Sequence, residues 1–208
     1  MKRYDLHIHS DMSPDSINTP QMLLNTAKKA GLNGIAVTDH YTIEGALRTK
    51  KLNKDRNFEV IVGQEVETDH GEIVALYIKR KIRQKKLLKA VEEIKSQGGL
   101  VIVPHPFRLT KAFEYPLDKL EGKVDGVEAK NSRYIISNMR VSSMNLPFAM
   151  IGSSDAHSPF DIGHACTEFE GNLRTAIRNR KTRARGTAKY GMISLALSDI
   201  NLVMKMFK

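Results

Sequence analysis

Asp5-Leu6-His7-Ile8-His9 alternates polar and apolar residues at the spacing of a strand. Side chains at i and i+2 share a face, so the sequence predicts Asp5, His7 and His9 on one side and Leu6 and Ile8 on the other. Two imidazoles on one face can grip a metal ion, and Asp5 can hold a ring nitrogen from behind. Four more elements repeat the theme: Thr38-Asp39-His40, Gly63-Gln64-Glu65 followed by His70 and Glu72, Pro104-His105-Pro106 and Ser154-Asp155-Ala156-His157. Each follows an apolar run. The prolines flanking His105 fix the backbone around a side chain that has to be pre-positioned. Of the seven histidines, five stand at such ends, and carboxylates share those ends; only His70 and His164 lie elsewhere. So many nitrogen and oxygen donors exceed what one tetrahedral zinc uses, which implies two or three ions. Clustered divalent ions suit displacement at phosphorus, where they neutralise charge and generate a hydroxide nucleophile. No serine has the glycine pattern of a nucleophile elbow, so the Asp39-His40 pair does not read as part of a triad.

The elements that must position these residues alternate short apolar strands with amphipathic helices. Strands are expected at 4–8, 34–38, 58–66, 73–78, 100–103, 124–129 and 148–151. Helices are expected at 20–30, 44–54, 84–97, 134–144 and 172–180, and 192–197 reads as a last strand or helix. Thr19-Pro20 opens the first helix as a cap followed by proline at the first helical position, and Gly31 stops it. This rhythm predicts an α/β fold with a mainly parallel sheet, whose strand carboxyl ends gather the polar residues.

The 208 residues fit one domain, 1–208, with a basic extension from about residue 171. A hydrophobic content of 41% supplies a sizeable core. No apolar stretch suggests a leader or a membrane span, and the lone Cys166 allows no intrachain disulfide. A cytoplasmic protein without a membrane or an obligate protein partner is expected. The formal charge is +10, concentrated at 79–89 and 174–189. Those runs are either solvated faces or attractors of a polyanion.

In this order, the five elements resemble the motifs of the PHP (polymerase and histidinol phosphatase) family. The resemblance covers the chain from Asp5 to about Glu170. It implies a distorted seven-stranded (β/α) barrel, similar to a TIM barrel, with a trinuclear metal site of manganese, zinc or iron. It places His7, His9, Glu65 and Asp155 on one ion, with Glu65 bridging to a second that His105 binds. His40 and His157 would hold the third with an acid from the loop after His9, Asp15 being preferred over Asp11. Many small members carry a histidine where Gly71-Glu72-Ile73 stands, so Glu72 is expected to ligate in its place, with His70 as the alternative. Pro104-His105-Pro106-Phe107 and Asn131-Ser132-Arg133 resemble a branch of small stand-alone phosphoesterases.

The expected reaction is hydrolysis of a phosphomonoester or small phosphodiester by a metal-bound hydroxide, without a side-chain nucleophile. Arg133, Arg108 or Lys130 would clamp phosphate oxygens. Asp5 and Asp39 would orient ligands. A nucleotide or short oligonucleotide is the favoured substrate, a sugar or amino-alcohol phosphate the other. The competing readings are a vestigial fold that binds nucleic acid without catalysis, which the intact ligand set disfavours, and a metal-dependent amidohydrolase.

Overall fold

The computed structural model describes residues 1–189, 191 and 193–196. Nine strands among them form one curled sheet, in the order β7-β6-β5-β4-β3-β2-β1-β8-β9. The strands are β1 (Lys2–Ile8), β2 (Gly34–Val37), β3 (Glu59–Thr68), β4 (Gly71–Leu76), β5 (Leu100–Val103), β6 (Gly126–Asn131), β7 (Ala149–Ser153), β8 (Ala165–Phe169) and β9 (Thr182–Gly186). The helices are α1 (Pro20–Lys29), α2 (Glu44–Leu52), α3 (Leu87–Ser96), α4 (Ile135–Ser142) and α5 (Leu173–Arg178). The sheet nearly closes, because the chain leaving β7 returns to β1. Asp155 N donates to His7 O at 2.9 Å, and His9 N donates to Ala156 O at 2.9 Å. The sheet has nine strands where seven were expected: the β8–β9 hairpin pairs with β1 and also packs on β7, with Gly152 N donating to Thr167 Oγ1 at 3.0 Å and Thr182 Oγ1 to Met150 O at 2.8 Å.

α1 begins as its sequence indicates, with Thr19 accepting from Met22 N and Pro20 at the first position. Gly31, at φ +70°, takes the left-handed turn that ends the helix. The sheet differs from the expectation of mainly parallel pairing. β1–β2, β2–β3, β5–β6 and β6–β7 are parallel, but β3–β4, β4–β5, β1–β8 and β8–β9 are antiparallel. The tight turn at 69–71 reverses the chain before a crossover helix can form. β8 and β9 were not foreseen, and the run read as a basic extension includes α5 and β9. Leu173, Ala176 and Ile177 of α5 are buried, and β9 pairs with β8 from Ala165–Gly186 to Phe169–Thr182. Of the segment 192–197, residues 192 and 197 lie outside the described residues, while 191 and 193–196 are helical.

Two apolar layers follow from alternation along the strands. Leu6, Ala36, Ile61, Val74, Leu76, Leu100, Ile102 and Ile151 fill the barrel. Ile35, Val37, Val60, Val62, Ile73, Val101 and Val103 face outward and pack with α1 and α3. Phe169 and α5 join the inner layer and floor the barrel. No helix of the described residues is long and apolar enough to cross a membrane.

Candidate metal centre

The inner face of each strand turns from apolar to polar as it reaches the opposite rim. On β3 the face that carries Ile61 carries Glu65 four residues later, the strand period being two. On β6, Glu128 lies in the same way at the barrel interior and is 1% exposed. β4 runs antiparallel to its neighbours, so its start rather than its end lies at this rim, which is where Glu72 stands. His105 and Asp155 follow β5 and β7 with φ of +26° and +56°, a region that costs roughly 1–3 kcal/mol per residue outside glycine. Hydrogen bonds hold both there: His105 N donates to Glu128 Oε2 at 2.9 Å and Asp155 N to His7 O.

At the centre are two ring nitrogens, His7 Nε2 and His9 Nε2, only 3.1 Å apart. His7 Nδ1 donates to Glu128 Oε1 at 2.8 Å. His9 Nδ1 donates to Ser13 Oγ at 3.1 Å, and that hydroxyl in turn donates to Asp39 Oδ1. Both rings are thus held by Nδ1, and each Nε2 is left as the atom that would bind an ion once its ring is neutral. Around them lie Glu65 Oε2, at 3.2 and 3.3 Å, and Asp155 Oδ1, at 3.7 and 3.4 Å. Buried carboxylates that converge with ring nitrogens need positive charge among them, either ring protons or a bound cation. Metal–ligand bonds of about 2.0–2.2 Å put neighbouring donors roughly 3–4 Å apart, so this set fits an ion.

Two further groups adjoin this one. His105 Nε2 lies 3.3 Å from Glu65 Oε1 and 3.9 Å from Glu72 Oε2. His40 Nδ1 lies 3.5 Å from Glu65 Oε2, and Asp15 Oδ2 lies 3.8 Å from His40 Nε2 and 3.0 Å from His157 Nε2. Glu65 thus turns one oxygen to each side. Eight residues, His7, His9, His40, Glu65, Glu72, His105, Asp155 and His157, form overlapping sets of three whose donor atoms lie within 4.8 Å.

The electrostatics are those of a compact cation-binding site. Burial alone would raise the carboxyls of Glu65 and Asp155, yet the surrounding His7, with His40 or Arg133, holds both well below the usual range. Burial lowers His9, but Asp155 and Glu65 outweigh it and lift the ring to about 9. Burial, with Arg133 and His9 alongside, brings His157 down to about 4. Burial and the nearby Glu65 raise Glu72.

The structure brings His7, His9, Asp15, His40, Glu65, Glu72, His105, Asp155 and His157 to one rim. Asp39 backs the site by accepting from Ser10 N at 2.6 Å and from Ser13. Asp5 is a correction, because it holds no histidine ring. A bulge between Asp5 and Ile8 shifts the phase of β1, so Asp5 faces away from His7. Its oxygens accept from Ser154 N and Gly163 N at 2.9 and 3.1 Å, which anchors the turn that presents Asp155. Glu128 takes the ring nitrogen instead, and sequence reasoning missed it. The available signal was an acid inside the apolar strand 124–129, on the inward parity. Among the described residues, neither Asp11 nor Asp15 is in these sets of three, though Asp15 reaches His40 and His157; His70 is in none of them and stands edge-on to Tyr115. Arg108 and Arg133 line the cleft, of about 500 Å³, with Tyr41 and Tyr134, whereas Lys130 does not. Arg108 Nη2 is 2.7 Å from Glu72 Oε2, and Arg133 contacts Asp155 and His157.

Comparison with known proteins agrees with this geometry. The PHP domain family matches residues 5–132 and a PHP-associated family matches residues 141–182. The Methanocaldococcus jannaschii protein MJ1587 is 37% identical over 155 residues, 67% of this chain and 90% of its own. A 5'-3' exoribonuclease of Haemophilus influenzae is 27% identical over 159 residues, 68% of this chain and 53% of its own. A two-domain Bacteroides vulgatus protein, described as containing a predicted PHP-like metal-dependent phosphoesterase, superimposes with a TM-score of 0.75 at 22% identity. That match covers 89% of this chain and 65% of the other. It shows the shared fold.

Proposed function

We propose that this chain, which belongs to the PHP family, is a metal-dependent phosphoesterase that hydrolyses a phosphomonoester or a small phosphodiester. The observation that carries this reading is the convergence of His7 Nε2 and His9 Nε2, 3.1 Å apart, with the Glu65 and Asp155 carboxylates. His7, His9, Glu65 and Asp155 would hold one divalent ion, Glu65, Glu72 and His105 a second, and Asp15, His40 and His157 a third, the metals being manganese, zinc or iron. When bound, such ions offset charge on phosphate oxygens and make a water acidic near neutral pH.

The chain's own groups do the positioning. Glu128 fixes the His7 tautomer, and Ser13, held by Asp39, fixes that of His9. Arg108 and Arg133 at the cleft wall would orient the non-reacting phosphate oxygens. A nucleotide or short oligonucleotide is the favoured substrate. Its support is the net charge of +10 and the similarity to an exoribonuclease.

The test is to measure the metal content of the purified protein, then assay it with manganese against phosphorylated metabolites, nucleotides and oligonucleotides. Two or three bound ions and hydrolysis that disappears in His9→Ala are expected. Metal-replete protein that cleaves no phosphoester in the panel would overturn the proposal.

A further inference from the structure

The loop from Lys79 to Lys86, between β4 and α3, carries six cations in eight residues: Lys79, Arg80, Lys81, Arg83, Lys85 and Lys86. All six are exposed, and none is in an ion pair with a described residue. Mutual repulsion should disperse such a loop, yet its backbone is fastened throughout. Gln97 Oε1 accepts from Lys79 N and Arg80 N at 2.9 and 2.8 Å. Gln64 Oε1 accepts from Ile82 N at 2.8 Å, with Ile82 2% exposed. Glu93 Oε2 accepts from Arg83 N and Gln84 N, and Asp69 N donates to Lys85 O at 2.9 Å. Glu93, the acid among these acceptors, thus holds backbone amides rather than a cationic side chain. The loop backbone is held while its cationic side chains are exposed.

That loop adjoins the metal centre. A groove of about 280 Å³ runs between Lys81, Arg83 and Lys85 on one side and Tyr41, Glu65 and Glu67 on the other. The latter three residues also line the main cleft, so the two spaces adjoin across them. Tyr41 stands where the two spaces adjoin, a residue 54% exposed on a backbone held at φ +62°. Strain of that kind at the edge of a site is a mark of a side chain placed for use. Lys85 Nζ lies 5.7 Å from the ring centroid.

We infer that this loop is a track for single-stranded nucleic acid, with Tyr41 as the platform on which a base stacks between the track and the metal centre. The inference rests on the phosphoesterase reading of that centre and names its substrate as a polynucleotide strand rather than a free nucleotide. A row of outward cations fits consecutive phosphates, and an exposed ring fits the face of any base.

The test uses fluorescence anisotropy with a fluorescein-labelled hexathymidylate carrying phosphorothioate linkages, and the same strand paired with its complement. The wild-type protein is compared with Lys81→Ser/Arg83→Ser/Lys85→Ser and with Tyr41→Ala. In the triple variant, affinity for the single strand should fall tenfold or more. Its dependence on salt should weaken by about two units of log–log slope, from about 0.7 per lost phosphate contact. Tyr41→Ala should lose roughly tenfold at unchanged slope, because stacking is not ionic. Circular dichroism and melting temperature check that both variants fold. Unchanged affinity and slope in the triple variant would overturn the track, as would equal or tighter binding of the duplex. The two proposals fail separately. Binding with this signature by a protein that hydrolyses no phosphoester keeps the track and removes the reaction. Hydrolysis of phosphomonoesters with the triple variant binding like wild type removes the track alone.

Discussion

The two ends of the barrel are built from the same strands but on opposite physical terms. At the floor, Tyr4 meets Phe169 edge to face at 4.9 Å, and Leu173 and Ile177 of α5 close over Leu100 and Ile102. There apolar area leaves water, and among the residues packed on this layer only Tyr77 has a left-handed backbone, at φ +61°. At the rim, buried carboxylates and imidazoles crowd together, and Tyr41, His105, Lys111 and Asp155 all have left-handed backbones. Four such residues cost several kcal/mol, roughly 1–3 each. The floor supplies the stability that the rim spends, so changes at the two ends should separate stability from activity.

The largest expected effect is at the rim. His9→Ala removes a donor with little core volume, so turnover should fall roughly a thousandfold or more, about 4 kcal/mol of transition-state stabilisation. The fold should persist, with a modest fall in melting temperature without metal at neutral pH, because the charged ring no longer faces Asp155 and Glu65. Ile102→Ala is the counterpart within the barrel, at a residue 1% exposed. It should destabilise by about 2–5 kcal/mol with turnover per folded molecule unchanged. Urea unfolding together with active-site-normalised kinetics reads both. If Ile102→Ala slowed turnover without loss of stability, or if His9→Ala unfolded the chain, the contrast between the ends would collapse. Glu128→Gln should be intermediate. It keeps the shape but weakens the hold on His7 Nδ1, and changes behind a metal ligand cost about 10–100-fold in metal affinity or activity.

A smaller effect concerns protons. In the metal-free fold His9 is raised to about 9 by Asp155 and Glu65, against the pull of burial. Its charged form therefore stabilises the metal-free protein fully below the unfolded pKa of about 6.5, and that contribution is lost as pH rises through 9. A metal ligand has to shed that proton, so binding between about pH 7 and 8 should release protons and tighten as pH rises. Calorimetry in buffers of different ionisation enthalpy measures the release. Binding without proton release across that range would mean that His9 stays outside the coordination sphere.

The rim was more legible in the sequence than the frame that builds it. His7, His40, Glu65, His105 and Asp155 stand out because a charged residue ending an apolar run has few structural reasons to be there. Glu128 was overlooked because it lies within its run and looks like a strand residue facing solvent. The β1 bulge, which turns Asp5 away from His7, follows from pairing with β2 and leaves no local trace. The β8–β9 hairpin was hidden for a related reason. Thr182 to Gly186 reads Thr-Arg-Ala-Arg-Gly, and its basic residues suggest a solvated run until Ala165–Phe169 supplies the partner strand. Side-chain chemistry is local and readable, whereas strand pairing across the chain is not.

The finest test of the rim is Glu72, whose carboxylate has two claimants. Oε2 lies 2.7 Å from Arg108 Nη2 but also 3.9 Å from His105 Nε2, in a set of donors with Glu65. As a ligand, it replaces a neutral imidazole with an anionic oxygen. That raises the negative charge of the centre and favours harder ions such as manganese over zinc. Glu72→His should then retain its metals, bind zinc several-fold more tightly and shift the activity optimum to lower pH, because less anionic charge opposes ionisation of water there. As a partner of Arg108 alone, it would matter only for holding that guanidinium at the cleft wall. Arg108→Ala distinguishes the roles, since it removes the competing cation and leaves the carboxylate in place. If Glu72 ligates, metal content survives Arg108→Ala and falls in Glu72→Ala. Full metal content and full activity in Glu72→Ala would instead assign the carboxylate to Arg108 and leave the His105 group one donor short.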